Sequence, residues 1–318
     1  MSHTDSIPVI FIIDIDGTLI GRVDFQSQRY SLQQHLKKHG FRTPSKLPEA
    51  FKPGHGLVRP FIKDFMRAVK QITDGNCYFF IYTASERKWA VQEIAWIEKA
   101  HGIQFDRPLF CRDDCVVDPQ GTHRKSLKRV WSRITRVVGK HHVLTAREKD
   151  TMLHRRTVMI DNNAVYVDHT DRLLLCPDYS YMVFENLLDT LPDNAWEQPT
   201  VRQHVMGIMN NMVNEGLVCP VTPNAPIMER MAHGYKWLAA KCATIMEYNK
   251  PFQHDNFWML LRKLIIKNHI KDFPASVITQ LQQLIWKRYT PKANSTPRSH
   301  ALTTTTTQRP QRLTAPSS

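Results

Sequence analysis

The sequence predicts an α/β fold built on a doubly wound, mostly parallel sheet, followed by an all-α C-terminal unit and a disordered tail. Short apolar runs rich in β-branched and aromatic residues alternate with amphipathic helices up to residue 192. From residue 195 onward, apolar residues recur only at helical spacing. The final stretch is rich in Ser, Thr, Pro and Arg and lacks the apolar residues that a core requires. We therefore divide the chain into 8–192, 195–288 and 289–318.

The first strand is the apolar run Val9–Ile13, whose composition is typical of a strand buried on both faces. Asp14 and Asp16 follow it directly. Because side chains alternate along an extended chain, these two carboxylates point to the same side, beyond the strand's carboxyl end, where open α/β sheets bind ligands. Acids this close repel each other unless a cation or a shared proton lies between them. An ordinary turn is the alternative, and the Asp-x-Asp-Gly-Thr pattern favours a functional site over it.

Residues 21–58 are polar, basic and rich in turn residues, and we expect them to form an insertion over the strand end rather than part of the core. Arg59 and Pro60 then begin a helix, since proline is favoured in the first turn. The apolar stripe of this helix comprises Phe61, Ile62, Phe65, Met66 and Val69. A second buried strand, Cys77–Tyr82, ends at Thr83.

The alternation of strand and helix continues to the end of the predicted sheet domain. Two amphipathic helices are expected, one with Trp89, Ala90, Ile94 and Ile97 facing inward and one with Leu127, Val130, Trp131 and Ile134. Short strand segments are expected at Leu109–Phe110 and Cys115–Val117, and longer ones at Thr157–Ile160 and Leu173–Cys176. Residues 139–156 are expected to form a basic, His-containing loop or a short helix.

The C-terminal unit is expected to contain about four packed helices separated by Gly and Pro. Its apolar stripes comprise Val205, Ile208, Met209 and Met212; Ile227, Met231, Trp237 and Leu238; Phe257, Leu260, Leu261, Leu264 and Ile265; and Val277, Leu281, Leu284 and Ile285. The Met-rich first stripe is typical of a core face, and an adaptable partner-binding face is the alternative.

Composition favours an intracellular protein with anionic partners. The formal net charge of +14 attracts phosphorylated proteins or nucleic acids. The six cysteines show no pairing rhythm and the start of the chain has no apolar leader, so we expect a reducing compartment, the nucleus or the cytoplasm. No apolar run approaches the length of a membrane span, and no membrane association is expected.

Two groups of residues could suggest a zinc site, but their spacing does not support one. Cys111 and Cys115 lack a second Cys or His pair, and we expect them to be core or strand residues. The histidines His141, His142 and His154 are expected to lie in a solvated, basic segment.

Three predicted strands end in side chains suited to phosphoryl transfer, and a lysine at a helix start lies between the last two in the sequence. In chain order the residues are Asp14, Asp16, Thr83, Lys125, Asp161 and Asn162. The first aspartate can act as nucleophile and the second as proton carrier. The acid and amide of the last strand can complete an oxygen shell for Mg²⁺ with the nucleophile. The threonine and the lysine can hold the transferred phosphoryl group.

This ordered set resembles the haloacid-dehalogenase (HAD) superfamily of aspartate-based phosphatases. Within it, the chain resembles the RNA polymerase II C-terminal-domain phosphatases of the small-phosphatase, NLI-interacting-factor-like type. The matching stretches are Phe11–Leu19, Val58–Phe61 with Asp64 and Phe65, Tyr82–Ser85, Leu109–Val116, Gly121–Leu127 and Ile160–Asn162. The resemblance covers residues 8–192 and implies a HAD-like, Rossmann-like core.

The resemblance also implies roles for individual residues. It implies a phosphoaspartyl intermediate on Asp14, and the Mg²⁺ ligands that it implies are Asp14, Asn162 and the backbone carbonyl of Asp16. It further implies that Asp161 orients Lys125. Arg112 falls where the family has an arginine near the substrate phosphate.

The chain departs from the polymerase phosphatases in ways that concern the substrate rather than the chemistry. Gly17 stands where those enzymes usually have an acidic residue, and Ser126 stands where they have aspartate. The segment from Lys125 to Asp161 is longer, and residues 21–58 do not match the family's short hairpin. A specificity for the polymerase tail therefore does not follow from the resemblance.

Size and layout also resemble the 38K-type capsid-assembly phosphatases of baculoviruses and related large DNA viruses. This likeness implies a protein phosphatase that acts on a basic DNA-packaging protein in the host nucleus or the virion. It implies capsid or assembly proteins as partners, bound through the C-terminal helices.

Three functions follow from these observations. The first is an Mg²⁺-dependent phosphoserine/phosphothreonine protein phosphatase, which the motif order favours. The second is a nucleic-acid end phosphatase, which the basic charge favours although the sequence carries no nucleic-acid-binding signature. The third is a non-enzymatic assembly module on a phosphatase fold, against which the intact acid pair, threonine and lysine argue.

Overall fold

The computed structural model describes residues 7–43, 47–185, 191–192, 194–214 and 242–289. The strands are β1 (Val9–Ile13), β2 (Cys77–Tyr82), β3 (Asp106–Phe110), β4 (Val116–Val117), β5 (His123–Arg124), β6 (Thr157–Asp161) and β7 (Leu173–Leu175). Five of them form a parallel sheet in the order β3-β2-β1-β6-β7, and β4 pairs with β5 in an antiparallel hairpin. The predicted parallel sheet is confirmed, whereas β5 was not predicted.

The helices lie on both faces of the sheet. They are α1 (Asp24–Lys38), α2 (Ile62–Ile72), α3 (Arg87–His101), α4 (Leu127–Val138), α5 (Ala146–Arg155), α6 (Pro199–Asn214), α7 (residues 242–249), α8 (Phe257–Lys267) and α9 (Ala275–Arg288). Phe11 and Ile13 of β1 face a core shared with α2, α3, α8 and α9, whereas Ile10 and Ile12 face a second core shared with α4 and α5. The alternation along one strand therefore builds two cores, and the doubly wound architecture is confirmed.

The prediction that residues 21–58 lie outside the core is wrong. They contain α1, which buries Phe25, Leu32 and Leu36 completely against α6. These apolar residues are spaced by seven and four positions, so they form a narrow stripe along one helix face. The polar residues between them hide this stripe from a composition-based prediction.

Two other local predictions need correction. The second helix begins at Ile62 rather than at Arg59, because Phe61 takes a left-handed conformation with φ of 70° and its side chain is 42% exposed. Residues 139–156 contain the helix α5, capped by Thr145 in a reciprocal capping box with Glu148. The helical alternative is the correct one for that segment.

The structure gives the burial of several residues that the sequence analysis discussed individually. Cys111 and Cys115 are buried, while the side chain of His154 is 58% exposed. Trp89 and Trp131, which were expected to face inward, are only half-buried. Trp89 packs instead beside Tyr30 of α1, with the two rings 5.5 Å apart.

The described C-terminal helices share the main core with the sheet. Phe257, Trp258 and Leu261 of α8 are buried in the cluster that contains Phe11 of β1. Phe11 itself lies 5.5 Å from the ring of Phe273, between α8 and α9. The domain boundary at residue 192 stays a prediction, and α8 and α9 contribute directly to the core that covers one face of the sheet.

Some predictions lie outside the described residues. They concern the stripe of Ile227, Met231, Trp237 and Leu238, the side chains of Met209 and Met212, and the tail from residue 290 to 318.

Among the described residues, no helix combines the length and the apolarity that crossing a membrane requires.

Three histidines lie close together where α1 meets α6. The rings of His35 and His204 stack in parallel with centroids 4.1 Å apart, and the ring of His39, just after α1, lies 4.6 Å from that of His35 and is tilted by 44°. Burial lowers the pKa of His35 below 6.5, and the neighbouring His39 adds to this. Burial and His35 likewise lower the pKa of His204. The folded protein therefore binds protons at this stack less readily than the unfolded chain does.

We expect the contact between α1 and α6 to weaken as the pH falls. A depressed histidine pKa contributes stability that is complete above about pH 7 and is lost as the pH falls below about 6.5. Amide hydrogen exchange of α6, corrected for intrinsic rates, should show lower protection at about pH 5 than at pH 7. The variant His35→Gln should lose most of this pH dependence. Equal protection of α6 at both pH values in the wild type would contradict the expectation.

Candidate active site

The predicted site residues meet at the carboxyl edge of the parallel sheet. Ile13 at the end of β1 lies opposite Ile81 of β2 and Ile160 of β6. Asp14 therefore occupies the centre of the edge, with Thr83 on one side and Asp161 on the other. This placement follows from the strand order, because β1 is the central strand between the other two.

Lys125 lies between two carboxylates. Its Nζ donates a short hydrogen bond to Oδ1 of Asp14 and another, 2.6 Å long, to Oδ2 of Asp161. The lysine is only 3% exposed. Burial alone would lower its pKa, but the two adjacent carboxylates raise the pKa above the ordinary lysine value, so the ammonium stays charged. The backbone N–H of Lys125 donates to the carbonyl of Tyr166 over 2.6 Å. The carbonyl of Lys125 accepts from the N–H of Asp168 over 3.0 Å.

Asp14 lacks full compensation for its negative charge. Burial, which is the largest cause, and the neighbouring Asp161 and Asp16 together raise its pKa to about 8 against the attraction of Lys125. A single lysine therefore pairs with two buried carboxylates, so the site holds more negative than positive charge when both are ionised. A cation close to Asp14 would stabilise the ionised form of its carboxyl group.

Asp16 is held by a residue that the sequence analysis did not assign to the site. Ser85 donates its Oγ proton to Oδ2 of Asp16 over 2.7 Å. Burial raises the pKa of Asp16, and the hydrogen bond from Ser85 counteracts this rise. The position of Ser85, two residues beyond Thr83 at the end of β2, was the available signal, although serine is common in any such turn.

Thr83 is buried and organises the loop that carries this serine. Its N–H donates to the carbonyl of Phe110, and its Oγ1 accepts from the N–H of Ser85 at 3.1 Å. The hydroxyl thus lies at the end of β2, beside the strand that carries Asp14. Arg112 donates to the carbonyl of Ala84 over 2.8 Å and forms an ion pair with Glu86 over 3.4 Å.

Asp161 and Asn162 have different hydrogen-bonding roles. Both carboxylate oxygens of Asp161 accept hydrogen bonds, from Lys125 and from the N–H of Asn163 at 2.8 Å. Asn162 is anchored through its backbone N–H, which donates to Thr18 Oγ1 at 3.0 Å. Both oxygens of Asp161 are therefore engaged, whereas the side-chain oxygen of Asn162 accepts a longer hydrogen bond, 3.3 Å, from Thr18 Oγ1.

In the part of the chain that the structure describes, no group of three or more His, Cys, Asp or Glu side chains is arranged to hold a metal ion. The cavity beside this edge of the sheet has a volume of about 340 Å³, and its lining includes Asp16, Arg22, Asp24, Asn162 and Asp178.

Comparison with known proteins gives one family and a structural likeness. The sequence model of the NLI interacting factor-like phosphatases matches residues 9–195. The structure of the fission yeast RNA polymerase II CTD phosphatase Fcp1 bound to beryllium fluoride is 15% identical, with a TM-score of 0.34, and the match covers 86% of this chain and 71% of that one. Another structure of Fcp1, an essential RNA polymerase II CTD phosphatase, is 14% identical with a TM-score of 0.35, covering 86% and 70%. No curated protein matches the chain.

Proposed function

Because the chain belongs to the NLI interacting factor-like phosphatase family and is a HAD-type phosphatase, we propose that it is an Mg²⁺-dependent phosphoserine/phosphothreonine protein phosphatase. The observation that carries the proposal is the buried trio of Asp14, Lys125 and Asp161 beside the separately held Asp16. It provides a nucleophile, a fixed positive charge and a proton carrier at one edge of the sheet.

The proposed reaction has two steps. In the first, a carboxylate oxygen of Asp14 attacks phosphorus, the bond from phosphorus to the seryl or threonyl oxygen breaks, and Asp16 gives that oxygen its proton. In the second, Asp16 takes a proton from water, which attacks the phosphoaspartate and releases inorganic phosphate. Lys125 and Thr83 stabilise the transferred group in both steps. Asp161 holds Lys125 in place throughout.

The residues present fit a bound Mg²⁺. The ion prefers oxygen ligands, and Asp14, the amide of Asn162 and the backbone carbonyl of Asp16 offer them at this edge. The observation that supports a cation there is that the buried carboxylates of Asp14 and Asp161 share the single ammonium of Lys125. When bound, Mg²⁺ supplies positive charge to the phosphoryl oxygens.

A substrate panel tests the proposal against the alternative of a nucleic-acid end phosphatase. Phosphoserine peptides should be hydrolysed at least about tenfold more efficiently, in kcat/KM, than a 3′-phosphorylated oligonucleotide. The peptides should include a polymerase-tail repeat and an arginine-rich sequence, because the two resemblances point to these different substrates. Faster turnover of the oligonucleotide would favour the alternative. Turnover unchanged after removal of Mg²⁺ with a chelator would contradict the proposed metal requirement.

A further inference from the structure

Asp178 lies at the same sheet edge as the proposed metal ligands, although it follows a different strand. β7 pairs in parallel with β6, so the chain beyond β7 leaves the sheet beside the chain beyond β6. Asp178 Oδ1 accepts a hydrogen bond of 2.7 Å from Nδ2 of Asn162. Its Oδ2 accepts a short hydrogen bond from the hydroxyl of Ser180, which fixes the carboxylate.

This contact determines which way the amide of Asn162 points. An ionised carboxylate only accepts hydrogen bonds, so the NH₂ group of Asn162 must face Asp178. The reverse orientation would place the amide oxygen against a carboxylate oxygen. The oxygen Oδ1 therefore faces away from Asp178, where Thr18 Oγ1 donates to it over 3.3 Å. A donor this distant leaves the second lone pair of Oδ1 available to a cation.

The backbone at Gly17 packs directly against this pair. A Cβ atom at position 17 would lie 2.3 Å from Asn162 Nδ2 and 2.5 Å from Asp178 Oδ1, and the residue has φ of +74°. No side chain fits there while Asp178 holds Asn162. An acidic residue at position 17 would occupy the space that Asp178 uses. Asp178 can therefore hold Asn162 in this way only because position 17 is glycine.

We infer that Asp178 is a positioning residue for the metal site, because its hydrogen bond with Asn162 presents the amide oxygen of Asn162 to a bound Mg²⁺. The inference rests on the proposed function, since it concerns the proposed metal ligand. Residues that orient metal ligands in this way commonly affect affinity by about tenfold to a hundredfold.

Two variants of Asp178 separate the effect of its hydrogen bond with Asn162 from the effect of its negative charge. Asp178→Ala removes both the acceptor and the charge, whereas Asp178→Asn removes the charge but keeps an oxygen that accepts from Asn162. Titration of Mn²⁺ followed by electron paramagnetic resonance measures binding without turnover, and competition with Mg²⁺ gives the affinity for Mg²⁺. Asp178→Ala should weaken binding by about tenfold or more, and Asp178→Asn by about threefold or less. Asp150→Ala, which removes an exposed carboxylate of α5, serves as the charge control and should match the wild type.

The possible results separate this inference from the proposed function. Binding by Asp178→Ala that equals the wild type would overturn the inference alone. Equal weakening in both Asp178 variants would also overturn it, because the charge and not the acceptor would then be responsible. A wild type that binds neither ion would overturn the proposed metal dependence and the inference with it. Thermal unfolding of the metal-free variants shows whether each one is folded.

Discussion

Asp14→Asn is expected to reduce the phosphatase activity by at least about 10⁴-fold. The amide keeps the size of the carboxylate but has no negative charge with which to attack phosphorus. The substitution would also leave Lys125 paired with Asp161 alone, which keeps the ammonium compensated. Hydrolysis of an aryl phosphate and of a phosphoserine peptide, each at saturating Mg²⁺, measures the effect. Both substrates should be affected equally, since the attack on phosphorus is common to them.

Trapping of the intermediate provides an independent readout for the same variant. Acid-quenched wild type should carry a phosphoryl group that hydroxylamine releases, as expected of an acyl phosphate, and Asp14→Asn should carry none. The matched control is Asp64→Asn, which alters a carboxylate of α2 with 47% side-chain exposure and should retain full activity. Undiminished turnover in Asp14→Asn would show that another residue is the nucleophile.

The sheet and the centre of the site could be predicted from the sequence because their signals are local. β1 and β2 are continuous apolar runs, and each ends in a polar side chain. Parallel pairing then brings those ends together without further information. Lys125 has no such local signal, and it was identified only from its place at a predicted helix start, in order with the residues at the strand ends.

The features that sequence reasoning missed depend on contacts between distant segments. Ser85 and Asp178 each follow a strand as ordinary turn residues, and only the folded edge shows that they contact Asp16 and Asn162. The packing of α1 was missed for a related reason. A narrow apolar stripe becomes informative only once the partner helix α6 is known.

The same limitation applies to the C-terminal helices. Periodicity predicted that residues 257–265 form a helix, but it could not identify the surface that this helix covers. The structure places it on α2 and joins the two regions through a buried ion pair that spans 196 residues of sequence. The match to the family ends at residue 195, so this pair connects the matched part to helices beyond it.

Arg59 and Asp255 form that pair, and neither side chain is exposed to solvent. The guanidinium donates from Nε and Nη2 to the two carboxylate oxygens over 2.9 and 2.8 Å. Tyr289 of the chain after α9 donates to the same carboxylate. The ring of Phe257 lies 4.6 Å from the guanidinium carbon. Arg59 also lies 3.4 Å from the carbonyl of Thr18, which links the pair to the loop of the acid motif.

Asp255→Ala is expected to lower the free energy of unfolding by about 3–5 kcal/mol, because it leaves the charge of Arg59 buried without an anionic partner. Replacing both residues, as Arg59→Met with Asp255→Leu, should recover most of the loss because no uncompensated charge remains. Urea denaturation measures both effects. The matched control is Glu247→Ala, which breaks the exposed pair with Lys250 and should cost less than about 1 kcal/mol. If Asp255→Ala cost no more than this control, α8 would not be held to the phosphatase core by the ion pair. A large loss that the double variant recovers would show that the cost comes from the uncompensated buried charge of Arg59.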